Sequence, residues 1–127
     1  LMTKVIVGED CGNSPKNIFV QKVTIAFAKG DSKFILSNVT DDIRWNIIGD
    51  KLIEGKDRLA EALDEINGDA VEALTIRHIA THGKAGAADG TVRLESGMLR
   101  AFCDVYEFSN SKGTAIKEIT SYVIDIQ

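Results

Sequence analysis

Proline occurs once in this chain, tryptophan once, cysteine twice and histidine twice, and aromatic residues make up only 6% of its 127 residues. Two cysteines, Cys11 and Cys103, are too few and too far apart for the disulfide framework of a small secreted domain. Both are therefore expected as free thiols in a reducing compartment, and neither has a catalytic or metal-ligand context. Positive charge is not in excess. The net charge is −4, which argues against an electrostatic grip on nucleic acid or on an anionic membrane surface. No apolar run approaches the roughly 20 residues that span a bilayer, and "LMTKVIVGEDCGN" lacks the uninterrupted apolar core of a secretory signal. A cytoplasmic location is expected. A chain of this length suits one domain over residues 1–127, with 1–13 as an extended N-terminal segment.

What is present divides into a helical first half and a strand-rich second half. In "NSPKNIFVQKVTIAFAKGD" Ser14 can cap, Pro15 suits the first helical position and Gly30 supplies a left-handed stop, which predicts a helix from Pro15 to Lys29. Phe19, Val23, Ala26 and Phe27 recur on one face of it. Asp31 can cap a short second helix through "SKFILSN", with Phe34 and Ile35 turned inward. "DDIRWNII" has the β-branched and aromatic content of a strand, and "GDKLIEG" reads as a turn into a second, short one. A third helix through "KDRLAEALDEIN" buries Leu59, Leu63 and Ile66 and is stopped by Gly68. From Val71 onward, Thr, Ile and Val alternate with polar residues between glycine-bearing turns. This predicts four antiparallel strands near 72–82, 87–95, 99–108 and 115–126. Helices first and a strand meander afterwards define an α+β domain with its helices on one face of a sheet.

The histidines in "LTIRHIATHGK" have the spacing of a helical metal chelate, but this stretch reads as a strand. His78 and His82 would then lie ~13 Å apart, at about 3.3 Å per residue, and cannot share a metal. His82 reads as a solvated strand end. His78 shares its side of the strand with Leu74, Ile76 and Ala80, so it is expected on the apolar side, either as a hydrogen-bonded buried histidine or as a catalytic one. On the strand near 99–108, Phe102, Asp104, Tyr106 and Phe108 share one face. A carboxyl among those rings would be desolvated and its pKa raised, so that it could hold a proton for a carbonyl or simply bind a neighbouring side chain. On the last strand the two sets Ile116, Glu118, Thr120, Tyr122, Ile124 and Lys117, Ile119, Ser121, Val123, Asp125 are not separated by hydrophobicity.

The order of elements, with "FAKGD", "VTDDIRWNIIGDKLIEGKDRLAEAL" and "FCDVYEFSNSKGTAIKEITSYVI" as its most specific segments, resembles the nuclear transport factor two-like superfamily and in particular its SnoaL-like branch. The resemblance covers nearly the whole chain. It implies a cone-shaped fold, three helices packed on a strongly curved, mostly antiparallel sheet that encloses a pocket, and a homodimer formed through the outer face of the sheet. Trp45 would either face outward as a dimer anchor or pack as core beneath a helix. Some members are enzymes, among them ketosteroid isomerase, polyketide cyclases, scytalone dehydratase and limonene epoxide hydrolase. The isomerase's base falls at Asn46, which cannot act as one, and its first oxyanion donor falls near Val23, which has no donor. Its second, an aspartic acid, matches Asp104 in "DVYEFSNSKG". Matching the turn after it favours Glu118, Thr120 and Tyr122 as inward. The arginine and two aspartates of the epoxide hydrolase do not reappear as a set, Asp89 alone falling near one of them.

The resemblance therefore implies a pocket for a small organic, carbonyl-bearing ligand, lined by Phe19, Val23, Asn46, Phe102, Tyr106, Phe108, Glu118, Thr120 and Tyr122. In the catalytic version, Asp104 exchanges a proton with His78 as its partner, and Asn46 and Tyr106 orient the ligand for isomerisation, cyclisation or dehydration. A binding or sensing module and a protein-interaction domain are the rival readings. No metal and no organic cofactor is implied.

Overall fold

The computed structural model of the protein describes residues 2–9, 11–66 and 69–126. The elements run β1 (Lys4–Val7), α1 (Pro15–Lys29), α2 (Ser32–Ser37), β2 (Val39–Ile47), β3 (Lys51–Glu54), α3 (Lys56–Ile66), β4 (Val71–His82), β5 (Ala85–Leu94), β6 (Leu99–Phe108) and β7 (Ile116–Asp125). The local signals are used directly. The Ser14 side chain accepts from Asn17 N–H at 3.1 Å, Pro15 opens α1, and Gly30, left-handed at φ 71°, donates its N–H to the carbonyls of Ala26 and Phe27. Asp31 accepts from Phe34 N–H at 3.2 Å and starts α2. Gly68, expected to stop α3, lies outside the described residues.

The seven strands form one sheet in the order β1-β4-β5-β6-β7-β2-β3. This corrects the expected cone: the sheet is open and mixed, with free edges at β1 and β3, and is not strongly curved or closed on itself. Two of its pairings, β1 with β4 and β2 with β7, are parallel. They tie the beginning of the chain and its first half onto the antiparallel β4–β7 meander. The helices lie on one face, α1 against β4 and β5 and α3 against β2. Between them the core takes in Val20, Val23, Ile35, Ile43, Leu59, Leu63, Leu74, Ile76 and Ile119. Burying a leucine such as Leu59 contributes roughly 1.5–3 kcal/mol. Ile66, expected in the stripe of α3, is 42% exposed.

A β-bulge in β4 decides which residues reach that core. The pairing with β5 shifts between Ile76 and His78, so Arg77 is the extra residue. Leu74, Ile76 and Ile79 are all buried, whereas Arg77 and His78 are exposed. Ile76 and Ile79, three residues apart and so on opposite faces of an unbroken strand, therefore share the inner one. The carbonyls around the bulge are satisfied by the N-terminal segment, Gly8 N–H donating to Ile76 O at 2.8 Å and the Cys11 thiol to Arg77 O at 3.7 Å. Across the strand Gly90 meets this irregularity, and a Cβ there would overlap the Thr75 carbonyl oxygen.

Candidate functional site

The inner faces of β6, β7 and β2, covered by α1 and the end of α3, bound a cavity of about 850 Å³. That is the size of a pocket for a drug-sized molecule. Depth increases along β6: Arg100 stands at the mouth, Phe102 and Asp104 follow on the same face, and Tyr106 beyond them is fully buried. Phe27, Trp45, Leu74, Val92 and Ile119 supply apolar wall. The Phe27 and Trp45 rings pack at a centroid distance of 5.3 Å, which orients the indole.

Asp104 lies opposite Ser121 in the β6–β7 ladder, and Trp45 lies opposite Ile119 in the β7–β2 ladder, so three neighbouring strands bring these side chains together. Trp45 Nε1–H donates to Ser121 Oγ at 2.8 Å. The Ser121 hydroxyl in turn hydrogen-bonds the Asp104 carboxyl. Burial pushes that carboxyl up from 3.8 to about 6, and the bond from Ser121 moderates the rise. Behind it, the Thr24 hydroxyl donates to Val20 O at 2.8 Å and so accepts from the Tyr106 hydroxyl at 3.3 Å. Burial and the charge of Asp104 hold the Tyr106 phenol protonated, well above the ordinary range, against the opposing pull of the Thr24 bond. The geometry thus presents one carboxyl, oriented by a serine and an indole, to an otherwise apolar cavity floor.

Several residues expected in the pocket are elsewhere. Phe102 and Asp104 line the cavity, while Val23, Tyr106 and Phe108 are buried without lining it, and Phe19 packs against Phe108 at 6.1 Å. On β7 the inward set is Ile119, Ser121 and Val123, so Glu118, Thr120 and Tyr122 belong to the outer face, with Tyr122 47% exposed. On β2 Trp45 is inward, packed beneath α1 as one of its two readings had it and not outward as a dimer anchor, and Asn46, expected in the pocket, is not. Both are the consequence of a one-residue slip, which exchanges the faces of a strand. The alternation Ile43-Trp45-Ile47 against Arg44 and Asn46 carried the right signal for β2; the match to the isomerase base obscured it.

His78 is also corrected, because the bulge at Arg77 turns it to the outer face. There its Nδ1 lies 2.9 Å from Asp89 Oδ1, in a depression of about 230 Å³ that also includes Cys103. The Cys103 thiol is raised by burial and by the charges of Asp104 and Asp89, which makes it a poor nucleophile. His78 is on the opposite side of the sheet from Asp104 and cannot exchange a proton with it. Among the described residues no three His, Cys, Asp or Glu side chains converge to hold a metal ion. Among them, too, no helix is long and apolar enough to cross a membrane.

The mouth carries charge that sequence reasoning missed: Lys29, Asp50, Glu65, Asp69, Arg100 and Asp125. Arg100 Nε bonds Asp125 Oδ1 at 2.8 Å and Lys51 Nζ lies 3.5 Å from Glu65. Arg100 and Asp125 stand four residues along their strands from Asp104 and Ser121, roughly 13 Å away. Arg100, Asp104 and Asp125 thus line one cavity without meeting at one point.

No family model matches this chain, and no curated protein sequence matches it. Solved structures do. An NTF2-like protein of unknown function from Cytophaga hutchinsonii is 27% identical, with a TM-score of 0.67 over 84% of this chain and 97% of that one. An LEH-like epoxide hydrolase from M. tuberculosis is 24% identical over 83% of this chain and 79% of its own, with a TM-score of 0.69. A candidate SnoaL-like polyketide cyclase from Shewanella denitrificans superimposes at a TM-score of 0.73 over 87% of this chain and 92% of its own, at 12% identity, and shares the fold alone. The chain belongs to the NTF2-like superfamily, with SnoaL-like proteins among its structural neighbours.

Proposed function

We propose that this protein binds a small organic molecule in the cavity between α1 and the inner face of the sheet and exchanges a proton with it through Asp104. The observation that carries the reading is the half-buried Asp104 carboxyl, held by Ser121 and through it by Trp45, with its pKa raised to about 6. A group titrating there can give a proton to a carbonyl or take one from an acidic C–H at neutral pH. Isomerisation, cyclisation and dehydration need that service. Epoxide hydration is disfavoured, because Arg100 and Asp125 are too far from Asp104 to act on the same oxygen. A cytoplasmic location belongs to the same proposal, supported by the free thiols Cys11 and Cys103.

The test uses β-tetralone, a ketone with acidic α-hydrogens, in heavy water. Wild-type protein is expected to accelerate deuterium exchange at the α-carbon above the buffer rate, followed by proton NMR, and Asp104→Asn is expected to bind the ketone without accelerating exchange. Saturable binding with no exchange in either protein would favour a module that holds its ligand unchanged. Absence of binding would refute the cavity reading altogether.

A second surface has its own observation. Val105, Tyr122 and Ile124 are 40%, 47% and 66% exposed on the outer face of β6 and β7. A homodimer through this face would cover them, and light scattering at micromolar concentration tests it.

A further inference from the structure

We propose that the molecule held in the cavity carries a positively charged nitrogen, so that the protein selects amines over neutral and anionic molecules of the same shape. This rests on the cavity being a small-molecule site, and not on turnover there. Three features of the site point to it. First, Asp104 has no protein cation: it takes part in no salt bridge among the described residues, its hydroxyl partner Ser121 is neutral, and the arginine on its own strand is committed to Asp125 at 2.8 Å. A carboxylate set into an apolar floor without a counter-ion is completed by a proton or by a cation brought in with the ligand.

Second, the walls beside it are aromatic. Phe102 is two residues from Asp104 on the same face of β6, and Trp45 reaches the same floor through Ser121, with Phe27 packed on its ring. The Trp45 N–H is spent on Ser121, so the indole's remaining contribution to a ligand is its π-face, which favours cations. Third, the charges at the mouth are unequal. Four carboxylates, Asp50, Glu65, Asp69 and Asp125, face two cations, Lys29 and Arg100, and Lys51 approaches Glu65 from outside the lining. With Lys51 counted the mouth still carries one more carboxylate than cations, and an anion would enter against this field as well as against Asp104. A neutral carbonyl ligand would gain from the protonated acid alone.

Tryptamine, tryptophol and indoleacetate share one ring system and differ in charge, so they separate the contributions. Binding is followed by isothermal titration at about neutral pH, where Asp104 is mostly ionised. Tryptamine is expected to bind about tenfold more tightly than tryptophol, a difference of about 1.4 kcal/mol, and indoleacetate the most weakly. In Asp104→Asn the preference for tryptamine should collapse while tryptophol binding is retained. Near the Asp104 midpoint the amine should release protons on binding, read from two buffers of different ionisation enthalpy, because pairing favours the ionised carboxyl. Tryptophol binding as tightly as tryptamine, or a preference for the amine that survives in Asp104→Asn, would overturn the inference and leave the cavity reading standing. No saturable binding of any of the three would overturn both.

Discussion

Replacing Asp104 by asparagine keeps the side chain's shape and its link to Ser121 while removing the ionisable proton. In the native protein, burial raises the carboxyl from 3.8 to about 6. Because the folded-state value lies above the unfolded one, the folded protein holds more protons than the unfolded chain between the two, and stability falls as pH rises through that window. The contribution of this group is complete below about 3.8 and lost above about 6. The gap corresponds to roughly 3 kcal/mol at about 1.4 kcal/mol per pH unit. The carboxyl is only half-buried, and discounting for solvent screening leaves about 2 kcal/mol as the expected effect. Asp104→Asn should therefore match the wild type at about pH 4 and exceed its stability by about 2 kcal/mol at about pH 8. Urea denaturation of both proteins across this range is the assay. The difference between the two curves cancels the titration of the distant carboxylates. A difference that stays flat with pH, or a variant less stable than wild type under alkaline conditions, would refute the desolvated acid.

Ser121→Ala should raise the Asp104 value further, because the bond that lowers it is lost, and should cost about 1–2 kcal/mol by leaving Trp45 Nε1 unpaired; a carbon-13 carboxyl titration and chemical denaturation read the two effects. Gly90→Ala should be severely destabilising, by about 3 kcal/mol or more, since its Cβ meets backbone at Thr75 that cannot yield. Gly97→Ala, with open space around it and only its φ of 93° to strain, should cost about 1 kcal/mol, and urea midpoints separate the pair. His78→Ala should leave β-tetralone exchange unchanged, because the bulge at Arg77 keeps the imidazole outside the sheet. Ile124→Glu should convert an outer-face dimer to monomer without changing the circular dichroism spectrum, as light scattering would report.

The elements of this protein were legible one at a time. Ser14, Pro15 and Gly30 bound α1 by interactions within a few residues of each other, and the β-branched runs from Val71 to Asp125 with their glycine turns marked the four-strand meander. Asp104 could be set on one face with Phe102 and Tyr106 because β6 runs through that stretch without a shift; its one irregularity comes later, between Glu107 and Phe108. What local sequence could not decide was parity and partners. Strand β1 exists because Lys4–Val7 finds β4 some seventy residues away, a parallel pairing with no turn to announce it. One extra residue at Arg77 sends His78 outward, and on β7, whose two faces are equally apolar, only the ladder against β6 brings Ser121 opposite Asp104. Side chains in a strand alternate with a period of two, so a single bulge or slip reverses every residue beyond it. The sites of such shifts are set by which strands meet across the sheet, and that is a property of the tertiary structure.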